Sequence, residues 1–282
     1  MQAGIAYIRQ ELKDHYPPSE IEGLIRFLFS MWKRYNTTDL ILRKGEELTS
    51  DDRTYLHAVV ERLKKYEPIQ YIFRETEFFG LPFRVTPEVL IPRPETEELV
   101  HWVLNANVIA EPVIMDACTG SGCIAISLKK HLPAAIVSGC DISGKALRVA
   151  RENAKLNQVK INFIQMDLLT SFPKGSLEPF DIITSNPPYV TEQEKRTMQQ
   201  NVTRFEPHTA LFVPDHNPLQ FYSALIRFGE GHLKTGGRQF WEINESFGKE
   251  CVELLEKNGY NHIELRRDIN GKNRMISGQY TR

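Results

Sequence analysis

From Ala3 to about Tyr66 the apolar residues recur at helical spacing, most plainly as Ile21, Leu24, Ile25, Leu28, Met31 and Trp32 after the Pro17-Pro18 pair. Ser19 with Glu22 fits a capping box at the start of that helix. A further helix is predicted to open at Thr49-Ser50-Asp51-Asp52 and to carry Leu56, Val59, Val60 and Leu63 on one face. The pattern predicts roughly three or four short helices ahead of residue 70, a small bundle in which Trp32, Phe27 and Phe29 pack the core. Its outer face is the natural place for a docking surface.

Between Tyr66 and Pro94 the period changes. TEFFG, LP and FRVT form two short aromatic and β-branched runs about a Gly/Pro turn, which predicts a β-hairpin. Pro94 then stands where a helix begins, followed by Leu99, Val100 and Trp102 on its apolar side. From Glu111 onward short apolar runs (PVIMDA, AIVSGCD, INFIQMD, FDIITSN) alternate with helical segments near Cys123–His131 and Ser143–Asn157. That rhythm predicts an α/β domain with a largely parallel sheet covered on both faces. A helix near Leu219–Phe228, a strand at RQFWEI, a helix from Ser246 to Asn258 ended by Gly259, and two last strands around HIELRRD and NRMISGQY bring the sheet to about seven strands.

At 282 residues the chain is large enough for one domain of this kind plus a smaller one. A formal net charge of -1 argues against general affinity for nucleic acid, which relies on a clustered basic surplus. The four cysteines, Cys118, Cys123, Cys140 and Cys251, show neither C-x-x-C spacing nor a disulfide-dense pattern, so reduced and mostly buried thiols in a cytoplasmic protein are expected, and no metal site. The opening MQAGIAYIRQELKDHYPP has no long apolar core, and no run approaches a membrane span, so neither export nor insertion is expected.

The run Asp116-Ala117-Cys118-Thr119-Gly120-Ser121-Gly122 follows an apolar strand and opens a helix, where backbone N–H groups can face a polar ligand closely. Asp141 ends the next strand, at the place where a carboxylate can accept both hydrogen bonds of a ribose diol. This pair alone leaves a nicotinamide dehydrogenase open, because Gly120 to Ala125 also fits a dinucleotide fingerprint. Asp167 after INFIQM favours an adenosine ligand of the methyltransferase kind, since it can accept from an adenine amino group; a plain capping role is the alternative.

Asn186-Pro187-Pro188-Tyr189 ends the fourth apolar strand, beside the glycine loop at the carboxyl edge of the sheet. A planar amide or amino nitrogen is a weak nucleophile, so methylating it requires its lone pair to be aimed at the methyl donor. The Asn186 side-chain oxygen and the Pro187 carbonyl can accept its two N–H bonds, and the Tyr189 ring can wall or stack on the target. No general base is needed, because the proton becomes acidic as the methyl arrives.

With these motifs in place the chain resembles the HemK/PrmC family, the release factor glutamine methyltransferases, over nearly its whole length. Asn186–Tyr189, the stretch Glu67–Val100, RFEPHTAL from Arg204 to Leu211 and GKNRMISGQ from Gly271 to Gln279 carry the likeness. The resemblance implies a Rossmann-like class I domain over residues 95–282, a hairpin linker over 73–94 and a helical substrate-docking domain over 1–72. It implies S-adenosyl-L-methionine as cofactor, held by Cys118, Thr119, Gly120, Ser121, Gly122, Asp141, Asp167, Leu168 and Asn186. The substrate it implies is the glutamine of the Gly-Gly-Gln loop in class-1 peptide chain release factors, methylated on its side-chain amide nitrogen. Asn186, Pro187, Pro188 and Tyr189 would hold that amide, with Arg93, Pro94 and Glu95 nearby, and the enzyme is expected to act as a monomer. The sequence departs from the family at Cys118, where glycine is usual, and at Leu168, where some relatives carry an aromatic. A nucleic-acid base amino-methyltransferase is the nearest competing reading, followed by a nicotinamide oxidoreductase and a binding module without catalysis.

Overall fold

The computed structural model describes residues 1–170 and 178–281, which divide into two compact units: Met1–Arg74 with Gln199–Phe205, and Glu75–Met198 with Glu206–Arg282.

In the first unit five helices precede the hairpin: α1 (Gln2–Leu12), α2 (Pro18–Lys33), α3 (Thr37–Leu42), α4 (Ser50–Leu63) and α5 (Ile69–Phe73). Ile8 and Leu12 of α1, Ile21, Ile25, Leu28 and Phe29 of α2, and Leu56, Val59, Val60 and Leu63 of α4 form one buried core, as their spacing predicts. Phe27 and Trp32 pack partly buried against it. Capping boxes are formed at α3, between Asn36 and Asp39, and at α4, where Thr49 and Asp52 exchange side-chain and backbone bonds. The one predicted at Ser19 is not formed. Pro17 is the N-cap and Pro18 the first residue of α2, because proline's fixed φ starts the helix a residue early, and Glu22 pairs with Arg9 instead.

The second unit opens with the hairpin β1 (Glu75–Phe78) and β2 (Leu81–Arg84), paired Glu75 to Arg84, then α6 (Pro94–Ala106) with Pro94 at its first position. Alternation follows: β3 (Val113–Ala117), α7 (Cys123–His131), β4 (Ile136–Asp141), α8 (Gly144–Leu156), β5 (Asn162–Gln165), β6 (Phe180–Ser185), the short β7 (Val190–Thr191), then α9 (Gln200–Phe205) of the first unit, β8 (Phe212–Val213), α10 (Gln220–His232), β9 (Leu233–Glu242), α11 (Gly248–Lys257), β10 (Tyr260–Arg267) and β11 (Asn273–Tyr280). The main sheet has seven strands in the order β10-β11-β9-β6-β3-β4-β5. All neighbours are parallel except β11, which runs antiparallel to both β9 and β10.

One face of the sheet packs Phe180, Ile183 and Trp241 against Tyr222, Leu225 and Phe228 of α10 and Leu255 of α11. The other packs Ile114, Ile182 and Phe240 against Leu99 and Val103 of α6 and Ile124 and Leu128 of α7, with Phe78 and Phe83 of the hairpin in the same cluster. Two buried asparagines, Asn153 on α8 and Asn157 just after it, secure the hairpin: Asn153 exchanges bonds with the Arg84 backbone, and Asn157 donates to the Pro82 carbonyl at 2.9 Å. Asn153 Nδ2 also donates to Ser121 O at 2.9 Å, which ties the hairpin's base to the glycine loop. Among the described residues no helix is long and apolar enough to cross a membrane.

Candidate active site

Parallel register aligns the carboxyl ends of three strands. Ala117 lies beside Ser185 on β6 and beside Cys140 on β4, so the loop after β3, Asp141 and Asn186 emerge side by side. The chain leaves β3 for β4 on one side and reaches β6 on the other, which makes this the topological switch point where open α/β sheets bind ligands. A cavity of about 320 Å³ opens there, within the range of small-molecule sites. It is lined by Cys118–Ser121, Asp141–Ser143, Met166–Leu169, Asn186, Pro188 and Phe221, together with Glu88–Leu90, Pro92, Arg93 and Thr96.

The loop after β3 is shaped by left-handed backbone. Cys118 has φ 59, Gly120 φ 54 and Gly122 φ 80. A side chain at Gly120 would meet nothing within 4 Å, so its bareness leaves room for a ligand. Gly122 is different, and stands apart from the residues that line the cavity. A Cβ there would stand 3.0 Å from Ile126 Cδ1 and 3.2 Å from Ala150 Cβ, so its glycine permits close packing of α7 against α8. Cys118 takes up the left-handed conformation that glycine usually supplies, at a cost of about 1 kcal/mol or more. Its partly buried thiol is kept protonated, since burial pushes its pKa well above the usual value.

Two carboxylates organise this end. Asp141 accepts the backbone N–H of Gly120 on Oδ2 and of Ser143 on Oδ1, both at 2.9 Å, which leaves lone pairs on each oxygen toward the cavity. Burial raises its pKa, offset in part by those two N–H groups. Asp116 is fully buried beneath the loop, where its Oδ2 accepts from the Thr119 hydroxyl and the Ala125 N–H while Oδ1 has no partner. Desolvation pushes its pKa up to about 7 against the two hydrogen bonds that lower it, and Asp141 adds to the rise. Asp167 lines the cavity, yet both its oxygens are engaged by its own turn: Leu169 N–H at 2.9 Å and the Thr170 hydroxyl at 2.8 Å. Those bonds close a turn directly after the strand. Leu168 and Met166, both buried at the cavity's edge, offer an apolar wall suited to a nucleobase.

The reacting end is built by partners that the sequence reading missed. Asn186 Nδ2 donates to Thr96 Oγ1 at 3.0 Å, and Thr96 Oγ1 donates to Glu242 Oε2 at 2.6 Å. The other oxygen of Glu242 accepts from the Tyr189 hydroxyl at 2.9 Å. Glu242 is 1% exposed, and burial raises its pKa, opposed by the Thr96 and Tyr189 hydroxyls and by Arg274. Asn244 Nδ2 donates to the Tyr189 carbonyl at 3.1 Å, and the pairing of Val190 with Phe212 fixes the chain just beyond. Only Glu242 left a trace in the sequence, as an acid directly after the apolar pair Phe240-Trp241 that must find partners.

Asn186 and Pro188 stand on the cavity wall, whereas Pro187 is buried behind it. Tyr189 does not line the cavity either: its ring packs on the core and its hydroxyl is drawn inward to Glu242. Arg93 is on the wall, with its guanidinium paired to the buried Glu206, whose second oxygen accepts the Ile91 N–H at 3.2 Å. That pair pins the loop over the cavity. Glu95 lies outside the lining, one residue short of the inward-facing Thr96, because successive helix positions point about a quarter-turn apart.

Residues 96–208 match the model of the Methyltransferase small domain, and residues 5–73 that of the PrmC N-terminal domain. A methyltransferase from Pyrococcus furiosus superposes with a TM-score of 0.54 at 17% identity, over 81% of this chain and 100% of that one. The fold and the cavity define a class I methyltransferase that uses S-adenosylmethionine. The release factor glutamine methyltransferase of Flavobacterium psychrophilum is 43% identical over 95% of this chain and 94% of its own length. That of Bacteroides thetaiotaomicron is 42% identical over 96% and 97%. The chain belongs to the release factor glutamine methyltransferase family.

Proposed function

We propose that the protein transfers a methyl group from S-adenosylmethionine to the side-chain amide nitrogen of the glutamine in the Gly-Gly-Gln motif of class-1 peptide chain release factors. The observation that carries this is the orientation of Asn186: its Nδ2 is committed to Thr96, so its Oδ1 is the atom left to accept an N–H at the cavity wall.

The residues present suit the cofactor. Asp141 has acceptor capacity for a ribose diol, Gly120 leaves open space for a close approach, and Met166 and Leu168 supply an apolar wall for adenine. Bound there, S-adenosylmethionine supplies an electrophilic methyl on a sulfonium. Asn186 Oδ1 holds one amide N–H of the substrate and the backbone at Pro187 the other, which turns the nitrogen lone pair toward that methyl. Tyr189 anchors the motif through Glu242, with its ring packed on the core. Arg93 braces the loop of residues 88–93 at the cavity.

The helical unit 1–72 docks the release factor, the hairpin 73–94 links it to the catalytic unit 95–282, and the enzyme works in the cytoplasm, where its substrate is made. The test incubates the purified protein with methyl-labelled S-adenosylmethionine and, separately, a class-1 release factor, ribosomal RNA and duplex DNA, then maps label by mass spectrometry. Label on the Gly-Gly-Gln glutamine is the expected result; label on nucleic acid alone overturns the substrate.

A further inference from the structure

Glu242 and Thr96 together decide which end of the Asn186 amide faces the cavity. Both oxygens of Glu242 accept hydrogen bonds from hydroxyls, from Thr96 at 2.6 Å and from Tyr189 at 2.9 Å. The two hydroxyls and Arg274 keep Glu242 ionised against the burial that raises its pKa, and an ionised carboxylate only accepts. The single Thr96 proton is therefore spent on Glu242, and the Thr96 oxygen can only accept from its other neighbour. That neighbour is Asn186, which must turn its NH₂ inward at 3.0 Å and leave Oδ1 outward. An amide that rotates freely would offer donor and acceptor faces alike, since its two ends have nearly the same shape.

We propose that Thr96 and Glu242 are positioning residues that lock Asn186 as an acceptor, and that this lock makes the site select a nitrogen bearing hydrogens over a carboxylate. This rests on the function proposed above. Arg274 on β11 favours the ionised form of Glu242 through its charge, while its own bonds go to the Ile243 carbonyl at 3.2 Å, the Tyr189 oxygen at 3.5 Å and Asp268 at 3.2 Å. Glu95 opposes it from α6. A glutamate presented in place of glutamine would set oxygen against Asn186 Oδ1, an acceptor against an acceptor.

Thr96→Val keeps the side-chain shape and removes the hydroxyl, and Thr96→Ser keeps the hydroxyl. In the methyl-transfer assay Thr96→Val is expected to lower kcat about 10-fold or more, with the dissociation constant for S-adenosylmethionine changed less than about 3-fold; Thr96→Ser is expected to stay within about 3-fold of wild type in both. Glu242→Gln, which adds a donor where only an acceptor stood, is expected to lower kcat as Thr96→Val does. Equal kcat for wild type and Thr96→Val would overturn the lock and leave the assigned reaction standing. A second arm does not use turnover: in ¹⁵N-labelled protein the Asn186 side-chain NH₂ signal, identified by its loss in Asn186→Asp, is expected to shift in Thr96→Val and to hold in Thr96→Ser. An unchanged signal in Thr96→Val overturns the proposal even if the wild type methylates some other target.

Discussion

Asp141 Oδ2 accepts the backbone N–H of Gly120 at 2.9 Å, so the carboxylate at the end of one strand grips the loop that leaves its neighbour. We propose that the same carboxylate receives a ribose diol, which would join the two tasks. Asp141→Asn puts a donor NH₂ where two acceptors were needed. Its expected effect is a loss of S-adenosylmethionine affinity of about 10-fold or more, measured by calorimetry. If affinity is retained while the melting temperature falls, Asp141 serves the loop alone.

Asn186→Ala removes the acceptor on the cavity wall without disturbing the strand behind it. The expected outcome is a fall in kcat of about 100-fold, the worth of one well-placed acceptor of charge in a transition state, with cofactor binding largely kept. A variant that keeps more than about a tenth of the wild-type rate would take Asn186 out of its role.

Cys118 sits at φ 59, where a Cβ is strained and a β-branched side chain more so. Cys118→Gly is expected to be neutral or stabilising by up to about 1 kcal/mol, because relief of strain offsets the greater freedom of glycine in the unfolded chain. Cys118→Val is expected to destabilise by about 2 kcal/mol or more. Urea unfolding of both variants checks the pair, and a Val variant as stable as the Gly variant would contradict the strain.

Asp116 gives the protein a pH signature. Its carboxyl, raised from 3.8 to about 7 in the fold chiefly by burial, holds its proton more tightly than in the unfolded chain. Its contribution to stability is therefore full below about pH 4 and is lost as pH rises through about 7, on the order of 4 kcal/mol in all. Thermal melts between pH 4 and 8 should show that decline, and Asp116→Asn should flatten it. An identical pH profile in the variant would assign the slope to other groups.

Patterns that repeat along the chain were legible in the sequence, and single partners across the fold were not. The helix face of Ile21, Ile25 and Leu28, the hairpin about Gly80 and the strands that carry Asp141 and Asn186 all follow from period and turn chemistry, and the structure places them there. The role of Gly122 did not follow, because a glycine that admits a ligand and one that admits a neighbouring helix read alike until Ile126 and Ala150 are seen against it. Thr96 and Glu242 are 146 positions apart, and no local rule joins them. Arg93 was expected beside the substrate; its buried partner Glu206 lies 113 positions on, and only the folded chain reveals that the pair restrains a loop.

The placement of β11 has a consequence for dissection of the enzyme. Every residue lining the cavity falls between Glu88 and Phe221, which invites the idea of a minimal catalytic fragment. Yet Glu242 ends β9, whose outer edge is covered by β11 with Met275 opposite Glu242, and Arg274 reaches from that strand to Asp268 and the Ile243 carbonyl. A chain cut ahead of Asn273 would keep the whole inventory of the cavity and lose the strand that shields the anchor beneath it. Such a fragment would hold the parts of an active site without the means to keep them aimed.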